Sequence, residues 1–202
     1  MRKNFFFKGL YNSVILSQDE ANNLYAMTDH SSARLLYRGT RDGFSAAVFR
    51  RNGSFPNTVT LIKSNKNYVF GGYTSISLNR SNGWYTDPTA FIFSLRRNGT
   101  INNVQLRSGG TANDASAQYA IYISSSYLSK FGYNDLEICD QSFSTASSTS
   151  NLCYSYDCPV GCSYGTTCSQ SFLAGSNSGW YTDEIEVFQM LSPITTTVPP
   201  GK

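Results

Sequence analysis

Eight short apolar runs follow one another along the chain: ARLLYR, TVTLIKS, YVFGGYT, AFIFSL, NVQLR, YAIYIS, DLEICD and EIEVFQML. Each is rich in β-branched or aromatic residues and is closed by Gly, Asn or Ser, the pattern of strands joined by turns. Asn98-Gly99, between FIFSLRR and TINNVQL, predicts a tight hairpin, because a type I′ turn needs positive φ at both central residues. Asn65-Lys66-Asn67 joins TVTLIKS to YVFGGYT in the same manner. Only two helices are expected. Residues 16–28 carry Ser17 as N-cap, Glu20 as its capping-box partner and Leu16 as a staple residue, and SAAVFRR starts from Ser45. Many short strands and two helices leave few ways to bury a core. The expected fold is mainly β (α+β), an antiparallel β-sandwich with the helices at its margins.

At 202 residues the chain suits one domain, read as residues 1–191, with a Ser- and Cys-rich excursion at 141–171 and a Thr/Pro-rich tail at 192–202. Charged residues make up 14% against a usual ~25%, so the surface must be rich in hydroxyls and amides. The net charge of +3 comes with scattered arginines and no basic run, which gives nucleic-acid binding no support. The opening MRKNFFFKGLYNS is too soon interrupted by Lys8 to read as a secretory signal, and no window approaches a membrane span.

Two near-copies, SNGWYTD at 81–87 and NSGWYTD at 177–183, contain the only tryptophans, Trp84 and Trp180. Their flanks differ, so whole-domain duplication is not supported; two similar turns leading into strands of one sandwich are expected. A carbohydrate-stacking or partner-binding role for Trp84 and Trp180 is the functional alternative, since aromatic pairs beside Asn and Asp suit amphipathic recognition.

Glu184 and Glu186 lie two apart on a predicted strand, about 6.5 to 7 Å apart at the backbone. That spacing approaches the roughly 6.5 to 9.5 Å between the carboxylates of inverting glycoside hydrolases. The plainer expectation is alternation, with Ile185 and Val187 inward and both carboxylates in solvent, available to a partner. Arg41 and Asp42 either clamp adjoining loops or present an interface anchor. His30, the only histidine, sits in a polar connection and offers no catalytic cluster or conventional zinc site. Cys139, Cys153, Cys158, Cys162 and Cys168 fall in the last third without CxxC pairs. They are expected as five free thiols, the last four close enough to oxidise; two disulfides with one free thiol is the alternative. Asn52, Asn79 and Asn98 open N-x-S/T sequons, which matter only in an exported chain.

The strings LLYRGTRDGFSAAVF, NTVTLIKS, YVFGGYTS, DPTAFIFSL, FGYNDLEI, FLAG and EIEVF, in that order, resemble the TLDc domain family over roughly residues 14–190. Gly39, Gly43, Gly71 and Gly72 match its most regular glycines; turns or close backbone approach account for them more simply than a recognition loop does. The resemblance implies a mostly antiparallel sandwich, a link to oxidative-stress resistance, and binding to the vacuolar-type proton-pumping ATPase. It implies no established catalytic mechanism. Where relatives often carry a His and then a Cys, this chain reads Phe49-Arg50-Arg51-Asn52-Gly53, so no activity of those residues carries over. The expectation is a cytoplasmic, non-catalytic interaction domain without cofactor or metal. Its partner would be the pump's peripheral subunits, with Arg41, Asp42, Glu184, Glu186, Trp84 and Trp180 as candidate contacts. An extracellular adhesion or glycan-binding module and a hydrolase using Glu184 and Glu186 are the alternatives.

Overall fold

The structure, a computed structural model, describes residues 9–109 and 114–192. Beyond Ser192, the expected tail lies outside the described residues. Among the described residues, ten strands form two antiparallel sheets. The larger takes β1 (Ser32–Arg38), β2 (Thr58–Ser64), β3 (Val69–Thr74), β5 (Phe91–Arg97), β6 (Thr100–Arg107) and β10 (Thr182–Leu191), in the order β1-β10-β2-β3-β5-β6. The smaller takes β4 (Gly83–Tyr85), β7 (Ile121–Ile123), β8 (Tyr127–Phe131) and β9 (Leu136–Cys139), in the order β4-β7-β8-β9. The mainly β sandwich expected from the runs is the fold observed.

Local chemistry sets the ends of several elements. The helix α1 (Gln18–Thr28) opens with the full capping box: Ser17 accepts from the Glu20 amide and Glu20 accepts from the Ser17 amide. Arg96 on β5 binds the same Glu20 carboxylate at 2.8 Å, tying the helix start to the large sheet. Two further helices, α2 (Gly39–Asp42) and α3 (Ala46–Gly53), follow β1, and Ser45 caps α3 through the Val48 amide. The β5–β6 turn has positive φ at both Asn98 (47°) and Gly99 (81°), as a type I′ hairpin demands.

The large sheet is covered on both faces. Toward the small sheet it contributes Ile62, Phe70, Ile92, Ile185 and Val187, which meet Ile121, Leu128, Phe131 and Ile138 in the inter-sheet core. On its other face, Val59, Leu61, Phe93 and Phe188 pack under Leu10, Ile15, Ala21 and Leu24 from the N-terminal segment and α1. Three layers therefore replace the two of a simple sandwich. Residues 141–171 are woven in: Ser148, Leu152 and Tyr156 are buried, and the short helix α4 (Thr167–Ser171) belongs to this segment.

Gly71 and Gly72 follow from this packing. A Cβ on Gly71 would meet the Thr60 carbonyl at 1.9 Å, and one on Gly72 would meet the Phe131 ring at 2.5 Å. They are glycines of close approach. Gly43 is different: its φ of +98° ends α2 in a conformation that L side chains rarely adopt, with open space around it. Gly39 lies under the Phe44 ring, 2.5 Å from where its Cβ would be.

Candidate functional site

The expectation for Glu184 and Glu186 needs correction. Alternation on β10 holds, with Ile185 and Val187 in the inter-sheet core, yet both carboxylates are buried, Glu186 completely. The reason is the third layer: residues 9–14 and α2 cover that face. Glu186 accepts from Arg38 Nε at 2.7 Å, from the Ser13 hydroxyl and from the Val14 amide at 3.2 Å. Glu184 accepts from the Thr40 amide at 3.1 Å and from its hydroxyl. Both acids hold loops to the sheet. Neither is open to a partner or arranged around a substrate cleft.

Arg41 and Asp42 pair with each other at 2.7 Å, and Asp42 also accepts from the Arg38 amide at 3.0 Å. The Arg41 side chain is half exposed. Its hydrogen bonds to Asp42 hold the Asp42 carboxyl below the usual carboxylate value and raise the already high guanidinium value. Asp42 is thus the loop clamp and Arg41 the accessible charge.

Trp180 is also corrected. It is 2% exposed, packed edge-on against Phe70 at 5.2 Å, and serves the core. Trp84 differs despite its matching string. It lies on β4, the edge strand of the small sheet, half-buried and stacked on Tyr133 with ring centroids 5.7 Å apart. The near-copies share a local sequence but meet different surroundings. Sequence also left unnoticed a group of aromatics around Trp84: Tyr122 at 4.7 Å, Tyr119 at 5.4 Å, and Tyr154 beyond Tyr133 at 5.2 Å. The strand alternation of YAIYIS, with Ile121 and Ile123 inward, was the available signal for Tyr122.

His30 donates to the Thr28 carbonyl through Nδ1, in the connection expected for it. The cysteines depart from five free thiols: Cys153 is joined to Cys158 and Cys162 to Cys168, which leaves Cys139. Neighbouring cysteines in one loop meet readily because short loops are cheap to close. Burial pushes the Cys139 thiol up, opposite to the direction a reactive thiolate needs. Of the sequons, Asn79 and Asn98 are exposed, while Asn52 is half-buried in α3.

Two other acids complete the inventory of buried charge. Asp87 accepts from Thr74, Ser75 and Thr89. Burial pushes its pKa up, but these hydrogen bonds outweigh that and hold it below the ordinary value. Asp135 accepts from the amides of Tyr154, Ser155 and Tyr156. There burial prevails over the amides, and the pKa is raised to about 6.

The residues that unite these features, from the N-terminal cover to the end of β10, coincide with one known unit: the family model of the TLDc domain matches residues 9–191. The chain belongs to the TLDc family. No curated protein matches it. Within this TLDc domain, the matched span takes in both sheets, the cover of β10 and the cysteine-bearing segment alike.

Proposed function

We propose that this TLDc domain acts by recognition and not by turnover. It is a protein-interaction domain whose partner is the peripheral, cytosolic part of the vacuolar-type proton-pumping ATPase, in the setting of resistance to oxidative stress. The observation that supports recognition is the state of the buried carboxylates. Glu20, Asp87, Asp135, Glu184 and Glu186 are each engaged by guanidinium, hydroxyl or backbone amide donors that hold one segment to another. An acid or base for catalysis must instead reach a bound substrate.

The choice of partner rests on membership of the family. A domain that binds one assembly state of the pump more tightly shifts the assembly equilibrium by that difference in affinity. Arg41, charged and half exposed at the α2 corner, is the accessible anchor among the charged residues first considered. The test is a titration of the purified chain into the isolated peripheral sector, read by calorimetry and by ATPase activity. Saturable binding with a change in activity is expected, weakened at least tenfold by Arg41→Glu. Absence of both binding and any effect on activity contradicts the proposal.

The cysteine pairs favour a second setting, an exported domain, because disulfides persist in oxidising compartments. Mass analysis after alkylation without reductant, on protein from its native source, separates the two. Five alkylated cysteines without glycan fit the cytosolic pump partner. One alkylated cysteine with glycan on Asn79 or Asn98 fits export and contradicts the cytosolic placement.

A further inference from the structure

The outer face of the small sheet is built unlike the rest of the surface. Trp84 on β4 is directly opposite Tyr122 on β7, and Lys130 on β8 is directly opposite Glu137 on β9. The β7–β8 pairing of Ile121 with Phe131 sets Tyr122 beside Lys130, so the four side chains make one row across the sheet. The inward neighbours Ile121, Phe131, Leu136 and Ile138 fill the core, which leaves this row facing out. From Trp84 the aromatic surface continues through Tyr133 to Tyr154 and Tyr164, at centroid separations of 5.7, 5.2 and 5.4 Å. Tyr133, Tyr154 and Tyr164 each leave more than two-fifths of their surface in water. An open basin of about 460 Å³ lies on this face, with Ser124, Ser126 and Asn134 at its walls between the rings.

We propose that this basin is a binding site for neutral oligosaccharides, with Trp84 and Tyr133 as stacking platforms and Lys130 and Asn134 as hydrogen-bonding groups. Three observations select that ligand class. A contiguous exposed aromatic surface on a polar molecule marks a contact site, and Trp84 is already stacked on Tyr133 with the neighbouring tyrosines packed at a tilt, so little freedom is lost on binding. The basin carries no net charge to offer. The Lys130 ammonium is paired with Glu137 and lies 5.1 to 5.9 Å from four ring centroids, so it is charge-balanced where a phosphate or nucleic-acid site would need a surplus cation. Finally, the walls alternate ring faces with hydroxyl, amide and ammonium groups. A pyranose matches this alternation, with C–H bonds on its faces and hydroxyls around its edge. An extended peptide would need a longer free strand than the three-residue β4, or a deep apolar hole for an anchor side chain.

This site does not depend on the pump partner, since the basin is on the small sheet and Arg41 is on α2 beside the large one. Its test uses the full chain on an array of neutral, acidic and sulfated oligosaccharides together with proline-rich peptides, followed by calorimetry on the best binder. Binding to a neutral oligosaccharide is expected, reduced at least tenfold by Trp84→Ala and by Tyr133→Ala and unchanged by Tyr181→Ala, an exposed tyrosine outside the basin. Circular dichroism and thermal midpoints check that the variants fold; if Trp84→Ala does not, Tyr133→Ala and Tyr154→Ala carry the comparison. The wild-type chain gives a further readout, because Trp180 is buried and ligand should shield Trp84 alone from acrylamide quenching. No binding to neutral glycans, binding only to acidic glycans or to peptides, or binding that the basin variants leave intact overturns the proposal.

Discussion

Replacing Glu186 by Gln would leave the Arg38 guanidinium, largely shielded from water, without the carboxylate it faces. Breaking a buried pair from one side costs about 3 to 5 kcal/mol, so Glu186→Gln should lower the urea midpoint markedly. Gly72→Ala should cost about 1 to 3 kcal/mol, since its Cβ would press on a Phe131 ring that is itself enclosed. Two aspartates give opposite pH dependences. Asp135 is raised from 3.8 to about 6, so between those values the folded state holds a proton that the unfolded state has released. Its contribution to stability is therefore greatest in acid and falls as pH rises toward 6. Asp87 is depressed, so its contribution is present above the ordinary 3.8 and is lost as pH falls through its folded value. Denaturation at a series of pH values should show Asp135→Asn removing the fall between about pH 4 and pH 6. Asp87→Asn should remove part of the loss below about pH 4. The Glu184–Glu186 alternation was legible in the sequence, but the cover that buries them was not. That cover comes from Ser13 and Thr40, whose hydroxyls carry no signal of where they end up.

Elements whose ends are fixed by local chemistry were the most legible. Ser17 and Glu20, Ser45, and the Asn98-Gly99 turn each satisfy backbone needs within four residues, so short strings suffice to identify them. Ser17→Ala should cost about 1 kcal/mol in thermal or urea denaturation, as loss of an N-cap hydroxyl does. The two WYTD strings show the limit of such reading. Trp84 joins an edge strand opposite Tyr122, whereas Trp180 is drawn under Phe70, and only the path of the intervening 95 residues decides which. The small sheet was similarly hidden, because its strands are three to five residues long and its aromatic outer face joins residues from four separate segments. Reduction of the two disulfides should loosen the 153–168 loop and cost about 2 kcal/mol for each small loop opened. Hydrogen exchange should localise that loosening there and leave β10 protected.

At the scale of the whole molecule, a six-stranded sheet covered on both faces forms the centre, and the two proposed recognition surfaces lie outside it. Arg41 marks one corner, where α2 meets the edge of the large sheet, and the Trp84–Tyr133 basin marks the outside of the small sheet. Eight of the ten described strands, the cysteine cluster and the TLDc resemblance could be read from the chain itself, whereas β4 and β8 and the order of the strands in the sheets could not. The layer formed by residues 9–28 over the large sheet could not, because its contacts join positions far apart in the chain, such as Glu20 with Arg96 and Ser13 with Glu186. This layer makes the carboxylates structural and leaves Arg41 as the accessible charge on which the proposed recognition rests. Hydrogen–deuterium exchange of the full chain, with and without the isolated peripheral sector of the proton pump, tests that account most directly. Slowed exchange at residues 38–43, absent in Arg41→Glu, is the predicted result. Unchanged exchange throughout the domain at saturating concentrations of the peripheral sector would contradict it.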